Sequence, residues 1–147
     1  MMKRNGQPIQ AGSIFEGYLQ GGSIILNHAN QFHRPLGELC AALRPHLIHC
    51  YANLYLTPPN TQAVKAHSDD QDVIIIQIFG SKTWQVYEPT QPLPYTDEMV
   101  GKENPHLKVP QATLDSPLLE DLKMAEGDLL YLPRGFIHQA ECTEEAS

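Results

Sequence analysis

The sequence predicts a mainly β chain, a sandwich or barrel of short strands with one or two flanking helices. Three observations carry this. Apolar residues come in short runs, the longest aliphatic one being Val73-Ile74-Ile75-Ile76. Twelve prolines and ten glycines punctuate the 147 residues at close intervals, as turns between strands require. Only one stretch, residues 32–43, repeats its apolar residues at helical spacing.

The elements follow in order. Residues 1–21 form a polar, glycine-bearing lead-in with weak patterning, and residues 22–147 form the core. Residues 22–27 read as a strand around Ile24, Ile25 and Leu26. Apolar residues at 32, 36, 39, 40 and 43 make a helical stripe, stopped before Pro45. A strand over 49–57 ends at Pro58-Pro59-Asn60. Residues 67–79 hold the β-branched run, and Gly80-Ser81 reads as a hairpin-type turn leading into a strand over 82–87. A proline-rich loop spans 88–112. Residues 118–124 suit helix or strand. Gly127-Asp128 turns into a strand over 129–132, and Pro133-Arg134-Gly135 turns into a last strand over 136–142.

Composition excludes several function classes. A net charge of -7, with ten scattered basic residues, disfavours a broad phosphate-gripping face, so no direct nucleic-acid partner is expected. No apolar run approaches the roughly 20 residues of a membrane span. The three cysteines, Cys40, Cys50 and Cys142, form no C-x-x-C pair, which argues against a disulfide framework or structural zinc and for a reducing, cytoplasmic compartment (nucleus or nucleolus in a eukaryote).

Four constellations carry chemistry. In His67-Ser68-Asp69 an extended backbone projects residues i and i+2 to one face, so an imidazole and a carboxylate can reach one metal ion, while Asp70 points away. Alone, such a triplet is more often a solvated acidic turn. In Gly127 to His138 the glycine, proline, glycine and histidine spacing is that of the second cupin signature, with Cys142 where the signature has asparagine; a β-arch with a core histidine is the plainer alternative. Together the two segments supply two histidines and a carboxylate, the facial triad of non-haem Fe(II) oxygenases, which leaves three coordination positions open. Lys82 opens the strand after the His67 segment and suits an anion inside a barrel, although a lysine at a turn is usually a surface residue. Asn53, Tyr55 and Thr57 alternate with Leu54 and Leu56, which makes either a polar pocket lining or a solvent face. His28, His33, His46 and His49 read as scattered surface histidines.

The chain resembles the JmjC-type ribosomal oxygenases of the cupin superfamily. The matching text is Asn53-Leu-Tyr-Leu-Thr-Pro-Pro-Asn60, His67-Ser-Asp69, Gly80-Ser-Lys82-Thr-Trp84 and Gly127 to Ala140, in the family's order and with its gaps. The resemblance implies a double-stranded β-helix, incomplete at both ends. It implies His67, Asp69 and His138 as Fe(II) ligands and Lys82 as the partner of the 2-oxoglutarate C5 carboxylate. Asn53 and Tyr55 would line the pocket near co-substrate and target. It implies O2-dependent hydroxylation of a histidine or arginine side-chain carbon in a ribosomal protein, with 2-oxoglutarate converted to succinate and CO2, and it allows a homodimer. Family members continue with a further barrel strand, a helical dimerisation region and a winged helix, which nine residues after His138 do not accommodate. The resemblance therefore implies the core of a longer reading frame.

Overall fold

A computed structural model describes residues 2–4, 7–8, 10–102, 106–142 and 147. Among the described residues, nine strands and three short α-helices are arranged in the order β1 (Met2–Arg4), β2 (Gln7–Pro8), α1 (Ile14–Leu19), β3 (Ser23–Leu26), α2 (Arg34–Leu43), β4 (Leu54–Leu56), β5 (Val73–Ile76), β6 (Lys82–Tyr87), α3 (Gln111–Leu114), β7 (Leu119–Met124), β8 (Leu129–Leu132) and β9 (Ile137–Glu141). The mainly β expectation holds. Pairing is antiparallel throughout, in three groups: β2-β1-β3-β4, β5-β8 and β7-β6-β9. No helix among the described residues is long and apolar enough to cross a membrane.

Several boundaries differ from the sequence reading, each for a physical reason. Helix α1 lies in the segment read as weakly patterned. Its apolar residues Ile14, Phe15 and Leu19 are exposed, so no buried stripe announces it. Its signal is a cap instead: Ser13 Oγ accepts from the Glu16 N–H at 3.1 Å, and Glu16 Oε2 accepts from the Gly12 N–H at 2.8 Å, a Ser-x-x-Glu start. Helix α2 begins at Arg34 with Pro35 in its first turn, where a missing N–H costs nothing.

The strand read over 49–57 shortens to Leu54–Leu56. Its first half is a loop held by Asn30 and Asn53: Asn30 Oδ1 accepts from the Ala52 N–H and Asn53 Oδ1 from the His28 N–H. Residues 118–124 resolve as strand β7. Gly80-Ser81 does not close a hairpin. β5 pairs with β8 and β6 with β7 and β9, so residues 77–81 carry the chain from one sheet to another. A two-residue turn is compatible with either outcome; the partner of β5 is decided by the β8 strand, which meets it residue for residue from Val73↔Leu132 to Ile76↔Leu129.

Sheet β7-β6-β9 positions the site. Successive residues of β9 face opposite sides. Ile137 is fully buried and stands opposite Tyr87 on β6; with Val100 they form a core, backed by Ala66, Val109 and Leu114. The next residue, His138, therefore turns to the other face, opposite Val86.

Candidate metal centre

His67 lies outside the named strands but is extended, and it bridges His138 directly. The two residues exchange both backbone hydrogen bonds, His67 N–H to the His138 carbonyl at 3.2 Å and His138 N–H to the His67 carbonyl at 2.9 Å. Residues so paired present their side chains on one face; the two imidazole centroids are 4.5 Å apart. Two residues on, Asp69 projects to the same centre. Its Oδ2 lies 3.7 Å from Nε2 of His67 and 3.7 Å from Nε2 of His138. Among the described residues, this is the one group of three histidine, cysteine or acidic side chains able to hold a metal ion, with donor atoms within 4.8 Å of one another.

Local backbone fixes which donor each ring offers. His67 Nδ1 lies 2.7 Å from the Lys65 carbonyl and His138 Nδ1 lies 3.1 Å from the Phe136 carbonyl. A carbonyl only accepts, so Nδ1 carries the proton in each ring and the Nε2 lone pair faces the centre. Burial drives the His67 pKa down to about 3, with His138 adding to the shift; burial also lowers His138. Both rings are thus neutral, as metal ligation requires. Burial raises the Asp69 pKa, but its neighbours His67, Lys102 and His138, with Lys102 also donating a hydrogen bond to it, outweigh this and hold it below the usual carboxylate range.

The two motifs are tied together by their own backbone. The Asp69 carbonyl accepts from the Gly135 N–H at 3.0 Å, and Asp72 Oδ1 accepts from the Arg134 N–H at 2.8 Å. Gly135 has φ 93°, and a Cβ there would fall 2.7 Å from Pro94 Cδ, so the corner that aims His138 admits only glycine without strain. Asp70 turns away, accepting from Thr96 Oγ1 and from Gln71 Nε2.

Lys82 stands on β6 on the same face as Trp84 and Val86, with Val86 opposite His138. It is four residues, about 13 Å of strand, from that level. It is half-buried, and burial lowers its pKa with only Cys142 opposing. Among the described residues no carboxylate pairs with it. The Trp84 ring lies 6.2 Å from His138, and its buried Nε1 has no hydrogen-bond partner among the described residues. Tyr55 is partly exposed; burial raises its pKa, and the charges of Lys102 and Asp69 both act on it, which puts it at the edge of the centre. Asn53 instead serves the backbone of His28. Thr57 is buried, its N–H and carbonyl both bonded to Ser147. The His28 and His49 rings lie tilted against that of Tyr51, at 4.9 and 5.6 Å between centroids, and among the described residues they join no second metal group.

Sequence reasoning missed Lys102. It lies inside the stretch read as a proline-rich loop, yet its Nζ donates to Asp69 Oδ1 at 2.5 Å. The segment reaches the site because Gly101 bridges His67. Gly101 has φ 72°, and a Cβ there would meet the Ala66 carbonyl oxygen at 2.3 Å and His67 Cα at 3.0 Å. Gly101→Ala is expected to lower stability by about 2 kcal/mol or more, combining left-handed strain with backbone overlap; urea denaturation of the variant measures it.

The JmjC domain family matches residues 27–147. The bifunctional lysine-specific demethylase and histidyl-hydroxylase NO66 of Drosophila persimilis is 38% identical over 130 residues, which are 87% of this chain and 18% of that protein. Human ribosomal oxygenase 1 is 44% identical over 93 residues, 63% of this chain and 14% of that protein. The Escherichia coli ribosomal oxygenase YcfD, in complex with cobalt and 2-oxoglutarate, shares the fold with a TM-score of 0.59 at 24% identity, over 85% of this chain and 29% of that one. The chain thus spans less than a third of each of these relatives. A family match over residues 27–147 takes in all of His67, Asp69 and His138, and on it the chain belongs to the JmjC domain family.

Proposed function

We propose that His67, Asp69 and His138 hold Fe(II), that 2-oxoglutarate binds beside it with its C5 carboxylate on Lys82, and that the centre hydroxylates a histidine or arginine side-chain carbon of a ribosomal protein. The observation that carries this is the convergence of two neutral Nε2 atoms and one carboxylate oxygen at 3.7 Å. Two histidines and one carboxylate on one face leave three positions of an octahedral ion free, enough for a bidentate 2-oxo acid and O2. A closed structural zinc site would instead use four protein ligands. The relatives support the same reading. NO66 is named a histidyl-hydroxylase, the human relative a ribosomal oxygenase, and YcfD is complexed with cobalt and 2-oxoglutarate.

Fe(II) held by His67, Asp69 and His138 would supply the oxidising chemistry, by which O2 and 2-oxoglutarate would give succinate, CO2 and a hydroxylated target carbon. The protein's own part is geometric and electrostatic. The Lys65 and Phe136 carbonyls hold the imidazoles in the tautomer that ligates. Lys82 is an ammonium in a half-buried setting, with no carboxylate of the described residues to answer it; the distal carboxylate of the co-substrate completes that pair. Tyr55, at the edge of the centre, lines the approach of the target, and Asn53 supports it from the neighbouring turn.

The test is succinate formation by the chain given Fe(II), 2-oxoglutarate and O2. Succinate above the no-protein control, raised by ribosomal-protein peptides that carry histidine or arginine, is the expected result. Absence of succinate, even without a target peptide, overturns the proposal. Tight zinc or manganese binding with no response to 2-oxoglutarate points to a non-oxygenase cupin instead.

A further inference from the structure

The two oxygens of Asp69 have different partners. Oδ2 faces Nε2 of His67 and of His138 at 3.7 Å. Oδ1 accepts from Lys102 Nζ. The two uses do not compete, because a metal between the imidazoles takes Oδ2 and leaves Oδ1 with the lysine.

The backbone that carries Lys102 is held against the ligand segment. Ser68, between the two ligands, donates its N–H to the Val100 carbonyl at 3.1 Å, and its buried Oγ accepts from the Val100 N–H at 3.0 Å. Gly101 then bridges His67 and donates its N–H to the Leu107 carbonyl at 2.7 Å. Residues 101 and 100 are thus clamped antiparallel against 67 and 68, which sets Lys102 at the level of Ala66, and from there its side chain reaches Asp69. Lys102 itself has φ 51°, a left-handed conformation that costs a non-glycine residue about 1 kcal/mol and persists where surrounding bonds impose it. Its side chain is 34% exposed, so the ammonium is partly withdrawn from water.

A carboxylate with both oxygens free tends to chelate a metal through both and fill an extra coordination position. An ammonium fixed to one oxygen prevents that. We propose that Lys102 is a positioning residue that restricts Asp69 to one-oxygen ligation through Oδ2, keeping three positions open for co-substrate and O2. This rests on the metal-centre reading above. It is also distinct from a simple charge effect, since removing a cation that acted by charge alone would tighten metal binding and leave the ligand-field bands unchanged.

The test is Co(II) titration of the 147-residue chain, followed by calorimetry and by the ligand-field absorption of the bound ion. It uses the wild type, Lys102→Met, Lys102→Asn and Lys102→Arg. Asparagine suits the left-handed backbone and is too short to reach Asp69, so it removes the contact without straining the turn. Positioning predicts that Met and Asn both bind Co(II) at least as tightly as the wild type but with altered ligand-field bands, as two-oxygen ligation by Asp69 would give, and that Arg restores the wild-type spectrum. Wild-type bands in both Met and Asn overturn the inference whatever their affinity. So does a wild-type spectrum for Asn beside an altered Met, which would mark a fold effect. If the wild type binds no Co(II), the metal-centre reading falls and this inference with it; wild-type binding with indifferent variants removes Lys102 alone.

Discussion

Replacing His138 with alanine is expected to abolish stoichiometric metal binding and all succinate formation. The variant keeps the backbone pair with His67 but loses one of the three donors that face the centre. The remaining imidazole and carboxylate lie to one side of the site, and no other described histidine, cysteine or acidic group completes the set. The loss exceeds the roughly 10–100-fold cost of removing a group that merely supports a ligand. His67→Ala should behave alike, whereas His33→Ala, outside the group, should bind Co(II) as the wild type does. Circular dichroism separates loss of donor from loss of fold. Retained tight Co(II) binding by both His67→Ala and His138→Ala would show that the centre is elsewhere.

The second large effect is expected at Lys82. In Lys82→Met the proposed partner of the co-substrate carboxylate is gone, and truncating one member of a buried charge pair costs about 2–4 kcal/mol. Binding of 2-oxoglutarate to the Co(II)-loaded chain should fall by the corresponding factor, roughly thirtyfold to a thousandfold, while Co(II) affinity is unchanged. Without co-substrate the sign of the stability effect reverses. Burial already disfavours the Lys82 ammonium, and no described carboxylate offsets this. Methionine therefore removes a desolvation cost and keeps the packing, and the urea midpoint should stay level or rise. A variant that loses metal affinity and 2-oxoglutarate affinity together would argue that Lys82 supports the fold rather than the co-substrate.

The two substitutions separate what is written locally from what is assembled. The His67-Ser68-Asp69 alternation, the turn residues before His138 and the first position of β6 at Lys82 are all properties of short segments. Backbone geometry says which way such side chains point relative to their neighbours, and the family resemblance supplied their proposed roles, so these residues could be named as candidates from the sequence. The strand β8 and the strand β6 were legible for the same reason, since each is an apolar or alternating run between clear turns.

Where reasoning from the sequence stopped, the missing information was a distant partner. Gly80-Ser81 is a turn on any reading, but whether β5 folds back on β6 or pairs with β8 depends on which strand completes its hydrogen bonds. Helix α1 hid because its apolar residues stay exposed and its cap outweighs its pattern. By alternation Asn53 reads as either pocket lining or solvent face; its Oδ1 accepts from the His28 N–H and its side chain bonds Tyr55, contacts no local rule supplies.

By itself, then, the sequence determined a β chain and the donor types of the centre, because strand alternation and turn chemistry act over a few residues. The tertiary structure alone decided that His67 and His138 become hydrogen-bonded partners, that their Nδ1 atoms are taken by carbonyls, and that Lys102 meets Asp69. The physical reason is that each of these depends on strand register and loop closure between segments far apart in the chain, and register is set by the packing of whole sheets rather than by any short run of residues.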